Sequence, residues 1–221
     1  FEDVLGGLIY ILSAPPDTDE TRLQARRFLW IAHLTAPSMK FTYLDVVLQM
    51  AVADDILRAW AVQLATEEKG KPRIGPETLL KLAQTDSSAT VRLALASALP
   101  NLDAKTVWEV ASALAMHGED KDDRFLPKMI WFGLARVIEQ DWARGLALAE
   151  KTPMPSLADS IRWYAGKSAE GREALVKTLK TTRDLQMLAF SLKDEAAVMM
   201  PAGWQQVRSD LSDKADASDA V

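Results

Sequence analysis

Residues 54–61 read Asp-Asp-Ile-Leu-Arg-Ala-Trp-Ala, and residues 88–95 read Ser-Ala-Thr-Val-Arg-Leu-Ala-Leu. Each stretch opens on a polar residue that can cap a helix. An aliphatic–arginine pair follows, with a small or apolar residue three positions beyond the arginine. Arg58 and Arg92 stand 34 residues apart, the length of one helix–turn–helix unit in an array of helical repeats. Acids lie just ahead of both, at Asp54 and Asp86. Small residues let helices stack closely, and an arginine near the start of each inner helix can pair with an acid of its own or the next repeat. A buried pair of this kind serves register more than net stability. Asp54, Arg58, Asp86 and Arg92 are therefore read as structural repeat anchors rather than as a binding pair.

The helical period extends outward from these stretches along the chain. Val4, Leu5, Leu8, Ile9 and Leu12 mark a first helix, stopped before Pro15-Pro16. Leu23, Arg27, Trp30, Ile31 and Leu34 run down a second, which ends near Pro37. A third begins around Phe41 with Leu44, Val47, Leu48 and Ala51, and a fourth carries Leu57, Trp60, Ala61 and Leu64. Pro76 sits where a first helical residue is expected. Asp86-Ser87-Ser88, Asp103 and Asp141 are start signals, and Pro127 falls in another first turn. Further helices are expected near 156–166, 169–180 and 183–199, with a last turn or two over 204–211. No strand is expected. Antiparallel helix pairs on short turns build either a closed bundle or a stacked array. The 34-residue echo favours the array: an all-α, HEAT-like (armadillo-like) α–α superhelix over 1–211, with 212–221 a flexible acidic tail or linker.

Composition narrows the function. Of 221 residues, 26 are Lys or Arg and 31 Asp or Glu, a net charge of −5. That balance argues against nucleic acid and anionic membrane as partners, which require a basic face. No apolar stretch approaches the ~20 residues needed to insert across a bilayer. There are no cysteines, which removes disulfides, thiolate metal sites and thiol catalysis within the chain. The start at Phe1, inside an apolar pattern, reads as a piece of something longer.

One loop has metal-ligating residue types: His117, Glu119, Asp120, Asp122 and Asp123. These can offer nitrogen and oxygen to a hard cation. Their spacing does not match the twelve-residue calcium loop, and the acids equally suit the N-terminus of the helix that follows. They are weak candidates, and a metal-dependent enzyme built on this loop is the least favoured reading. His33, beside Trp30 and Leu34, reads as a core or boundary residue. Of the seven tryptophans, Trp60 and Trp131 are expected to fill the core. Trp142 and Trp204, beside breaks, are expected to be partly exposed. No nucleophile–base arrangement or phosphate cradle is apparent, so no catalytic residue and no cofactor are assigned.

Several segments, taken in order, resemble the helical-repeat region of the haem-binding, membrane-bound-dehydrogenase-like proteins of planctomycetes and verrucomicrobia. They are 56–64 (ILRAWAVQL), 91–99 (VRLALASAL), 113–120 (ALAMHGED), 126–131 (LPKMIW) and 200–204 (MPAGW). In such proteins a sugar-dehydrogenase-like propeller precedes the helical region. A cytochrome c domain with a Cys-x-x-Cys-His motif follows it. The resemblance implies a non-catalytic scaffold or docking domain, a spacer between redox modules in an exported, periplasmic parent. Its partners would be the neighbouring domains of that parent or another protein. A stand-alone protein- or peptide-binding solenoid is the alternative. No haem ligand is carried over, because the family's haem motif falls outside this chain.

Overall fold

The computed structural model describes residues 6–7, 10, 18–35, 42–50, 54–179, 182–193, 199–201 and 203–210. The described residues are all-helical, with no strand among them. Of the expected helix through Val4–Leu12, Gly6, Gly7 and Tyr10 are described, all three helical. The breaks at Pro15-Pro16 and Pro37, the start at Phe41 and the tail 212–221 lie outside the described residues.

Eleven α-helices are defined among these residues: α1 (Asp19–Thr35), α2 (Thr42–Met50), α3 (Asp55–Ala65), α4 (Pro76–Thr85), α5 (Ala89–Ala98), α6 (Ala104–Leu114), α7 (Leu126–Leu134), α8 (Trp142–Lys151), α9 (Pro155–Ala165), α10 (Ala169–Thr178) and α11 (Thr182–Ser191). Residues 204–210 are helical as well. No described helix is long and apolar enough to cross a membrane.

The helix starts follow from local chemistry. The Asp54 carboxylate accepts the Leu57 N–H at 3.0 Å, Ser88 the Thr90 N–H, Asp103 the Thr106 N–H and Asp141 the Arg144 N–H. Each satisfies a donor that the first turn cannot pair internally. Proline enters α4, α7 and α9 in the first turn, where its missing N–H costs nothing. Pro100 does not simply stop α5 but tightens its end into a 3-10 turn, Leu99–Asn101. The last expected helix is shorter than read, closing at Ser191.

The sequence reading takes 1–211 as one domain. The contacts sort the chain into two compact units. The first holds the described residues up to Leu114 together with Phe132–Leu134. The second holds Ala115–Trp131 and the described residues from Ala135 onward.

In the first unit, helices two apart in the sequence pack together: α1 on α3, α3 on α5, α4 on α6. Helices α3 and α5 run side by side in the same direction. Ser88 at the head of α5 donates to Asp55 at the head of α3 (2.8 Å). Asn101, beyond the foot of α5, donates to the Thr66 carbonyl at the foot of α3 (2.8 Å). Their shared core is aliphatic and small: Leu57, Ala61, Val62, Val91, Leu95 and Ala96 are buried. In the second unit α8 packs on α9 and α10, and α9 on α10 and α11.

The large residues that mark α1 in the sequence are not the ones it buries. Helix α1 buries Ala25, Leu29 and Ala32, whereas Leu23, Arg27, Trp30, Ile31 and Leu34 are exposed. Both stripes have helical period. The small one wins because close helix approach favours alanine over bulk.

Candidate functional site

The repeat anchors come together in the first unit. Arg58, in the first turn of α3, is buried, and its Nε and Nη2 donate to the two carboxylate oxygens of Asp86 at 2.8 and 3.0 Å. Arg26 of α1 repeats this toward Asp54, with Nε and Nη2 on the two oxygens at 3.0 and 2.9 Å. Both pairs span 28 residues. A forked guanidinium–carboxylate bond fixes orientation as well as distance, so each pair sets one helix against the next.

The acids have second duties. Asp54 caps α3, and Asp86 accepts the Ser88 N–H at 2.9 Å. Arg92, 2% exposed, donates from Nη1 to the Asp86 carbonyl at 2.9 Å. The four residues singled out in the sequence thus meet around the starts of α3 and α5. Asp55 joins them, its carboxyl held below the usual range by the Ser88 hydroxyl first of all. Arg26 was missed, because it sits beside Arg27 and off the repeated aliphatic–arginine pattern. Its 28-residue interval to Asp54 was the available signal.

Beside this ladder an open cleft of about 460 Å³ runs between α3 and α5. Its walls include Ile56, Trp60, Gln63 and Glu67 on one side and Leu93 and Ser97 on the other. Trp60 is not the core filler expected from its helical position. It is half-buried at the cleft, edge-on to Trp30 with ring centroids 5.6 Å apart. His33 sits nearby as a boundary residue. Its Nε2 lies 3.4 Å from Glu67 Oε1, the same oxygen that accepts from Arg73 at 2.9 Å.

In the second unit the acidic loop divides into parts with separate roles. Ligating atoms of His117, Glu119 and Asp120 lie within 4.8 Å of one another, with His117 Nδ1 2.8 Å from Glu119 Oε1. Asp122 and Asp123 do not join them. Asp123 accepts the backbone N–H groups of Leu126 (2.8 Å) and Phe125 (2.7 Å), which hold its carboxyl below the usual range. It is a helix-start acid. Asp122 is exposed. Asp120, the third member of the His117 group, is buried.

The same unit has an aromatic group. Tyr164 meets Trp131 (centroids 5.3 Å) and Trp142 (5.7 Å). Its hydroxyl donates to Glu139 at 2.5 Å, and that bond raises the phenol above its ordinary pKa. Trp142, expected to be partly exposed, is buried. The Asp141 cap places it as the first residue of α8, and the Tyr164 ring covers it. Trp131, expected in the core, is half-buried.

Comparison with known proteins returns no matching family model, no matching curated protein and no matching solved structure.

Proposed function

We propose that the chain is a HEAT-like α–α superhelix serving as a non-catalytic scaffold or docking domain. It would be a spacer between a sugar-dehydrogenase-like propeller and a cytochrome c domain of a longer, exported parent. One observation carries the scaffold part: the forked arginine–aspartate bond made twice at the same 28-residue interval. A device that repeats with the helices suits an array in which each layer is positioned by its neighbour. The packing of helices two apart supports the same reading. The spacer role rests on the order of the resembling segments and is tested on the parent's reading frame. A propeller before this chain and a Cys-x-x-Cys-His domain after it are expected. A frame with neither removes the spacer role and leaves the scaffold.

A second reading, a protein- or peptide-binding solenoid, is favoured by the open α3–α5 cleft. Apolar and polar groups meet there on two helices joined at their heads by the buried Arg58–Asp86 pair.

A further inference from the structure

We propose that the α3–α5 cleft docks an arginine- or lysine-bearing peptide segment of a protein partner. The inference rests on the second reading above and names the chemistry of its occupant.

Several polar protons along the cleft are already committed. Ser97 donates its hydroxyl to the Leu93 carbonyl (2.8 Å), and Asn101 donates its amide to the Thr66 carbonyl (2.8 Å). Thr66 donates its own hydroxyl to the Val62 carbonyl (2.8 Å). Ser97 therefore meets an incoming group as an acceptor, and Asn101 keeps its amide oxygen alongside one N–H, while Thr66 is sealed beneath them at 2% exposure. Glu67 adds a carboxylate. Arg73 and His33 already share one of its oxygens, so it contributes as an acceptor more than as an unbalanced charge. Gln63 and Thr90 can serve either way. No Lys or Arg lines the cleft.

Helix direction adds to this. The parallel α3 and α5 both end toward Thr66, Glu67 and Asn101, so their negative dipole ends lie together at that end of the cleft. Trp60 offers a half-buried indole, the best ring for a cation. Ala59, Ala94 and Ala98 line the cleft without filling it. The trough has acceptors, an indole wall and no Lys or Arg in its lining. Its Glu67 keeps a second carboxylate oxygen beyond the one shared by Arg73 and His33. Such a trough suits a guanidinium or ammonium on an apolar stem. It opposes an acidic segment.

The test is titration of the full chain, labelled with nitrogen-15, with three capped peptides: an arginine–alanine peptide, its neutral citrulline counterpart and a glutamate–alanine peptide. The arginine peptide is expected to move the side-chain N–H signals of Trp60, Gln63 and Asn101. Trp60→Ala should weaken it about threefold to tenfold. Ala94→Arg, which puts a cation on the cleft wall at a helix-compatible position, should abolish the response. Preserved amide spectra would certify both variants as folded. Equal binding of the citrulline peptide overturns the proposal. If the glutamate peptide moves these signals and the arginine peptide does not, the proposal falls and peptide docking in the cleft stands. If no peptide moves them, both fall.

Discussion

In the first unit the carboxylates that fix neighbouring helices, Asp54 and Asp86, are each gripped by both prongs of an arginine 28 residues earlier. In the second the nearest counterpart is Arg162 with Asp184. There Nε lies 3.0 Å from the carboxylate, and Nη2 also donates to the Ala149 carbonyl at 3.3 Å. Arg162 is also more exposed than Arg58, 20% against 9% for the side chain. One smaller device is shared: Arg92 and Arg172 each reach back six residues to a backbone carbonyl, of Asp86 and of Gly166. The second unit adds close approach at two glycines. A Cβ on Gly166 would lie 1.9 Å from Ser191 Oγ, and one on Gly171 would lie 2.3 Å from the Ala165 carbonyl. The lesson is that two helical regions of one chain hold register differently, the first by directed charge and the second by absence of bulk.

That contrast can be broken most forcefully at Asp86. Asp86→Ala strands the buried Arg58 without its forked partner and should cost about 3–5 kcal/mol in urea unfolding. Asp184→Ala, facing a better-solvated arginine, should cost about 1–3 kcal/mol. Equal losses would erase the distinction. Next in size is Gly171→Ala, where the obstacle is backbone and cannot rotate away. A loss of about 2–3 kcal/mol is expected, and a neutral result would show that α10 shifts freely. Smaller again is Ser168→Ala at the head of α10. It removes the bond to the Gly171 N–H and should lower stability by about 1 kcal/mol. Ser88→Ala should exceed it, since Ser88 also holds Asp55.

The mildest test is pH. The carboxyls of Asp55, Asp103 and Asp123 are held low chiefly by the Ser88 hydroxyl, the Thr106 hydroxyl and the Leu126 backbone N–H. A carboxyl lowered in the folded state contributes stability that is present above its unfolded value, about 3.9. That contribution is lost as pH falls through the lower folded value. Urea midpoints should therefore hold from neutrality to about pH 5 and decline below about pH 4. Asp123→Asn should flatten the decline slightly. A midpoint that rises on acidification contradicts the assignment.

How much of this was legible in the sequence depended on whether the cause was local. Helix starts were readable, because Asp54, Ser88, Asp103 and Asp141 act on N–H groups two or three residues away. The meeting of Arg58 and Asp86 was partly readable: the spacing suggested pairing with an acid of the same or next repeat, and Arg58 reaches the acid ahead of the next inner helix. Arg26 was hidden by its neighbour Arg27, since only packing decides which of two adjacent arginines faces inward. In α1 the large residues and the buried set of Ala25, Leu29 and Ala32 both follow the helical period, so periodicity alone does not say which faces inward. A groove lined by the inner helices is expected if the chain is a peptide-binding solenoid, but the lining of the cleft is not readable from either helix alone. It depends on α3 and α5 lying parallel, and nothing in either helix alone dictates that. In the acidic loop the residue types suit either ligands or a helix start, and Asp123 takes the helix-start role by accepting the Phe125 and Leu126 N–H groups. Asp120, buried in this loop, follows Arg92 in the sequence by the same 28 residues that separate Arg26 from Asp54.

Native-state hydrogen exchange on the intact chain and on Asp86→Ala tests the stacked-array account most directly. The account predicts that the substitution lowers protection steeply for amides of α3 to α6 while those of α8 to α10 keep most of theirs, since each layer answers mainly to its neighbours. An equal fall at every slowly exchanging amide would mean one closed core, and the array would have to be abandoned.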